Sequence, residues 1–122
     1  RSRREFPRIK RVAVIFSRGR WRGVDAGAGI DAALAVLAFE HDVQVGFIGA
    51  GVELLAGADE GDERAQRHRM VAALAHHGAS RLLASRECLR ARDLVPRGAE
   101  IEQIDRGGFA AWLAEADHVL TF

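Results

Sequence analysis

The feature that most constrains this chain is its opening unit. Arg11-Val-Ala-Val-Ile-Phe16 is a nearly continuous apolar run, as a strand buried on both faces requires. A loop from Ser17 to Gly23 follows. Asp25 can cap the next helix, which runs to about Phe39. Ile30, Ala33, Leu34 and Leu37 recur along it at helical spacing and mark one face. Val43 to Ile48 is a second buried strand. Open parallel sheets of this kind place their binding sites beyond the carboxyl ends of the strands. The Gly-rich segment Ala26-Gly-Ala-Gly29 lies just after the first of those ends.

The same alternation continues to the C-terminus. Gly49 and Gly51 break the second strand, and one helical turn is expected over Val52 to Leu55. Ala56 to Asp62 is a Gly/Asp-rich loop. Glu63 to His77 reads as a helix with Met70, Val71 and Leu74 inward and Gly78 as its stop. Arg81 to Ala84 is a third strand. Ser85 can cap a helix through about Arg92, with Glu87 favourable in the first turn. Pro96 and Gly98 make a turn before a fourth strand, Ile101 to Ile104. Asp105 can cap a helix over Gly107 to Ala116, with Phe109, Trp112 and Leu113 on one side. His118 to Phe122 is the last strand. Alternating strands and helices predict one α/β domain, a mostly parallel five-stranded sheet with helices on both faces. That domain spans residues 9–122, behind a basic arm at residues 1–8.

At 122 residues the chain has enough length for a single core. It is 48% hydrophobic and 29% charged, too apolar for disorder. Its apolar runs fall far short of the roughly 20 residues of a membrane span. The first residues show no secretory-signal pattern. The single cysteine, Cys88, excludes an internal disulfide and a Cys-rich metal site. The absence of stapling suits a reducing, cytoplasmic compartment. Charge is unevenly spread: residues 1–22 hold nine basic groups against the single acid Glu5, while Asp59, Glu60, Asp62 and Glu63 form an acidic cluster. Such asymmetry points either to complementary partner surfaces or nucleic acid, or to a basic tail and a solvated loop.

Few residues carry chemistry by pattern alone. Cys88 falls in the first turn of the helix that Ser85 caps, where a helix dipole and the nearby Arg86 and Arg90 favour a thiolate. The plainer reading is a small packing residue. Ser85 has no recognisable His and carboxylate arrangement around it and no nucleophile elbow, so it reads as a cap. The five histidines, His41, His68, His76, His77 and His118, lack metal-ligand spacing, and the adjacent pair His76 and His77 is expected to point in different directions. No cofactor is called for. The glycines at 27 and 29 sit too far from the strand for a dinucleotide fingerprint, and close helix-to-sheet packing explains them better. The loop Arg18-Gly-Arg-Trp-Arg22 is the strongest candidate for a role beyond folding. Its Arg20, Trp21 and Arg22, with Val24, can anchor a protein interface, where Trp and Arg are enriched. Trp21 could equally stack on a base.

Three stretches carry a resemblance to a known family. They are Ser17 to Ala35 with its Gly-Ile-Asp-Ala-Ala-Leu-Ala, Phe47-Ile-Gly-Ala-Gly-Val-Glu-Leu-Leu55, and Leu89-Arg-Ala-Arg-Asp-Leu94 with the ending Ala116-Asp-His-Val-Leu-Thr-Phe122. In order and spacing the chain resembles the DsrF/TusC subunit of the DsrE-like sulfur-relay family, from about Lys10 to Phe122. The resemblance implies a flavodoxin-like domain that assembles with DsrE/TusD-like and DsrH/TusB-like subunits. It also implies a small downstream sulfur carrier protein as acceptor. Neither a membrane nor direct tRNA contact is expected. The pathway implied is tRNA 2-thiouridine formation in one branch and dissimilatory sulfur oxidation in the other. Relatives carry a cysteine at the end of the third strand, where this chain has Ser85. The resemblance therefore implies an accessory, non-catalytic subunit of a sulfurtransferase complex. The runners-up are a self-sufficient persulfide carrier using Cys88 and an RNA- or nucleotide-binding domain using the Arg18 to Arg22 loop.

Overall fold

The computed structural model describes residues 10–18, 25–55, 73–96 and 100–122, with the backbone alone at 25–27. The basic arm, the loop residues Arg20, Trp21, Arg22 and Val24, the segment 56–72 and Gly98 lie outside the described residues.

The elements are β1 (Arg11–Phe16), α1 (Asp25–Ala38), β2 (Asp42–Phe47), a 3₁₀ helix (Gly49–Leu55), β3 (Arg81–Ser85), α2 (Arg86–Ala91), β4 (Ile101–Ile104), α3 (Arg106–Ala114) and β5 (His118–Thr121). Residues 73–76 are helical and lead into β3. Each strand expected from the sequence forms, with ends shifted by at most one residue. The turn expected at Val52 to Leu55 is longer and tighter, a 3₁₀ helix that begins at Gly49. Gly49 adopts φ +57°, which turns the chain sharply out of β2. Gly51 then presses against the backbone of β1, and a Cβ there would overlap the Phe16 carbonyl.

All five strands are parallel, in the order β4-β3-β2-β1-β5. From β1 to β4 every step moves the same way across the sheet. Parallel crossovers are right-handed, so the connections of those steps must share one face. They do: Ile30 and Ala33 of α1, Leu54 and Leu55 of the 3₁₀ helix, Leu74, and Leu89 of α2 pack with Val14, Phe16, Val45 and Phe47. Phe16 and Phe47 stack there with ring centroids 5.4 Å apart. The last connection runs back over three strands to β5, and its helix α3 lies on the opposite face. Phe109 and Trp112 cover Ala13, Ile15 and Leu83 on that side.

Among the described residues one helix covers this second face, and its fit is tight. Both aromatic rings rest on Gly46, where a Cβ would come within 2.6 Å of Trp112 and 2.9 Å of Phe109. The buried Trp112 indole Nε1–H donates to Gln44 Oε1 at 2.6 Å, which satisfies two polar groups removed from water. Among the described residues no helix is long and apolar enough to cross a membrane.

Gly51→Ala tests the close approach to β1. The opposing atom is backbone and cannot swing aside, so the variant should lose about 3 kcal/mol of stability, the upper end for overpacking. Urea denaturation measures it. A change within about 0.5 kcal/mol, typical of surface substitutions, would contradict the packing described.

Candidate functional site

The strand order fixes where a crevice can open. After β3 the chain turns into α2 on one face of the sheet. After β4 it turns into α3 on the other face. Adjacent strands whose connections diverge leave a crevice at their carboxyl ends, the usual binding position in open α/β sheets. A cavity of about 260 Å³ lies there. Ile48, Phe109 and Leu113 make its apolar wall, and Ser85, Glu87, Cys88 and Arg106 supply its polar groups.

Ser85 and Cys88 are held together by the start of α2. Ser85 is the N-cap: its backbone is extended, and its buried Oγ accepts a hydrogen bond from the Cys88 amide at 3.2 Å. The cap expected from the sequence is therefore made. Among the described residues the hydroxyl's hydrogen-bond partner is the Cys88 amide. Cys88 is half-buried. Its Sγ accepts a hydrogen bond from the Gly49 amide at 3.2 Å. The sulfur is thus pinned between the turn after β2 and the first turn of α2, at the rim of the cavity.

Two ties brace the crevice across its mouth. The Arg106 amide, at the start of α3, donates to Glu87 Oε2 at 3.1 Å. The Arg86 guanidinium donates to the Gln103 carbonyl at 3.1 Å. Asp105 caps α3 by accepting from the Gly108 amide at 2.7 Å. Glu87 receives its own backbone N–H as well as that of Arg106, and together they hold its carboxyl below the usual glutamate range.

The other sequence expectations resolve in different ways. Gly29 lies in α1 with Phe16 and Phe122 against it, and a Cβ there would come within 2.9 Å of the Phe122 ring. Close packing of helix on sheet explains this glycine. The crevice is thus at β3 and β4, away from the Gly-rich segment after β1. His76 and His77 diverge less than helical spacing implies: their rings meet edge to face, with centroids 5.4 Å apart. Among the described residues no group of three or more His, Cys, Asp and Glu could hold a metal ion. The four interface candidates, Arg20, Trp21, Arg22 and Val24, fall outside the described residues. Sequence reasoning missed Gly49, Arg106 and Phe109 as neighbours of Cys88. Gly49 comes from the connection after β2 and the other two from α3, and only the strand order brings them beside Cys88.

The class defined by this architecture is an open, all-parallel α/β domain with a thiol-bearing crevice at a switch of connection. The model of the DsrE/DsrF-like family matches residues 10–122, and the chain belongs to that family. Its fold is similar to that in the crystal structure of the ychN protein from E. coli, with a TM-score of 0.69 and 20% identity. The match covers 94% of this chain and 100% of the other. No curated protein matches the chain by sequence.

The pH dependence of the crevice follows from Glu87. A carboxyl whose folded pKa is depressed stabilises the structure fully above its unfolded value. That contribution is lost as pH falls through the folded value. The Glu87 side-chain resonance should titrate with a midpoint below 4.5, the ordinary value, and the Arg106 amide shift should follow it. An ordinary midpoint, or an Arg106 amide indifferent to acid, would show that the tie across the crevice does not form.

Proposed function

We propose that this chain is the accessory, non-catalytic DsrF/TusC-like subunit of a cytoplasmic sulfur-relay complex. It serves either tRNA 2-thiouridine formation or dissimilatory sulfur oxidation. Its partners are a DsrE/TusD-like subunit, which bears the persulfide-carrying cysteine, and a DsrH/TusB-like subunit. The complex delivers sulfur to a small downstream carrier protein.

One observation carries this reading. The end of β3, where the resemblance places the family's thiol, holds Ser85, whose buried hydroxyl caps a helix. An alcohol oxygen cannot form a persulfide. The chain's single thiol, Cys88, lies one helical turn further on, with its sulfur bonded to a backbone amide. Membership of the DsrE/DsrF-like family supports the sulfur-relay setting.

Cys88→Ser tests the non-catalytic role. In the reconstituted complex it should leave most sulfur transfer intact, as read by trapping the persulfide on the acceptor. Loss of transfer with assembly unchanged would make Cys88 a sulfur carrier in its own right.

Arg20→Glu combined with Trp21→Ala tests the interface. A buried aromatic anchor is worth about 2 kcal/mol or more at an interface, roughly thirty-fold in affinity. Partner binding should fall by about that factor while any binding of tRNA stays weak. Tight, salt-sensitive tRNA binding by the wild type, abolished in the variant while assembly persists, would favour a nucleic-acid role, since phosphate contacts release counterions.

A further inference from the structure

The strand order leaves a second opening, at the opposite end of the sheet from Cys88. β5 is added outside β1, whereas α1 crosses from β1 to β2. Among the described residues, the flank of α1 is the helical cover beside β5 on that face. A cavity of about 620 Å³ opens there, at the amino ends of β1, β2 and β5. Its size falls within the range of roughly 300–1,000 Å³ typical of small-molecule sites.

The lining divides cleanly by chemistry. Val12 of β1, Val36 of α1 and Leu120 of β5 contribute apolar surface. Lys10, His41 and His118 contribute nitrogen, and no carboxylate is among the described residues that line it. His41 is fixed by a specific bond: its Nδ1 accepts from the Lys10 amide at 3.1 Å. A neutral ring held in this way carries its proton on Nε2, which remains available as a donor. Lys10 adds a full positive charge.

We propose that this cavity binds a small carboxylate with an apolar body, such as a short alkyl or aryl acid. The valine and leucine surface takes the hydrocarbon part. Lys10 takes the carboxylate charge, and the two imidazoles supply hydrogen bonds. A single negative charge matches the single lysine. A phosphate dianion fits less well, because the carboxyl end of α1, the negative end of its dipole, closes the same end of the domain. The site is separate from the crevice at Ser85 and Cys88 and does not depend on any role in sulfur transfer.

Nuclear magnetic resonance titration of the full chain with hexanoate tests this, with hexan-1-ol as the uncharged control. Hexanoate should produce saturable shifts at Val12, Val36 and Leu120 and at the His41 and His118 rings. Hexanol should bind about tenfold more weakly, the loss of one charge-assisted contact. Lys10→Gln should weaken hexanoate by about tenfold and hexanol by much less, since the charge it removes pairs only with the carboxylate. The proposal is overturned if hexanoate gives no saturable shift, if hexanol binds equally well, or if the shifts map to Ile48 and Phe109 at the other crevice. The comparison of the two ligands on the unaltered chain decides the matter even if the variant does not fold.

Discussion

The structure depends on one long step, the return of the chain from β4 across three strands to β5. Right-handed crossover geometry sends the first three connections to one face and this last one to the other. Among the described residues one nine-residue helix, α3, covers that face of the sheet. That demand explains the local sequence. Gly46 gives up its side chain so that Trp112 and Phe109, set edge to face, can both press against β2. Gln44, buried in a strand, exists to pair with the Trp112 indole. Full burial of such rings contributes roughly 1.5–3 kcal/mol each, enough for one helix to seal a face.

The same step makes the two openings. Divergence of α2 and α3 at the ends of β3 and β4 leaves the crevice that holds Ser85 and Cys88. Placement of β5 outside the β1–β2 crossover leaves the cavity at Lys10, His41 and His118. Both follow from strand order before any side chain is considered. The side chains then decide the chemistry: a pinned thiol beside an apolar wall at one end, and nitrogen donors over an aliphatic floor at the other. Their separation gives one fold two independent cavities of different chemistry.

Much of this was legible in the sequence, and the physical reason is clear in each case. The three inner strands are runs such as Val12 to Phe16, whose burial on both faces leaves little room for polar residues, whereas the edge strands β4 and β5 are short and largely exposed. The caps at Ser85 and Asp105 are local, made by side-chain oxygens bonding amides three residues on. Strand order was not legible, because nothing local to β5 says that it pairs with β1. For that reason the crevice was not placed at β3 and β4, and Gly49, Arg106 and Phe109 were not seen beside Cys88. The Gly49 bond to sulfur is a contact between residues 39 apart, made by a backbone amide that any residue would supply. Gly51 reads in the sequence as a break in a strand, and its close approach to Phe16 follows from the pairing of β1 with β2.

The family and the serine at the end of β3 together support the proposed role, in which this chain assists sulfur transfer without carrying the sulfur. The most direct test maps the sulfane sulfur itself. The chain is assembled with the proposed DsrE/TusD-like and DsrH/TusB-like partners, loaded from a persulfide donor, and each subunit is weighed intact by mass spectrometry under non-reducing conditions. The predicted result is the mass of one added sulfur atom on the partner that bears the family cysteine, and an unchanged mass for this chain. An added sulfur on this chain, assigned to Cys88 by peptide mapping and passed on to the acceptor, would contradict the claim.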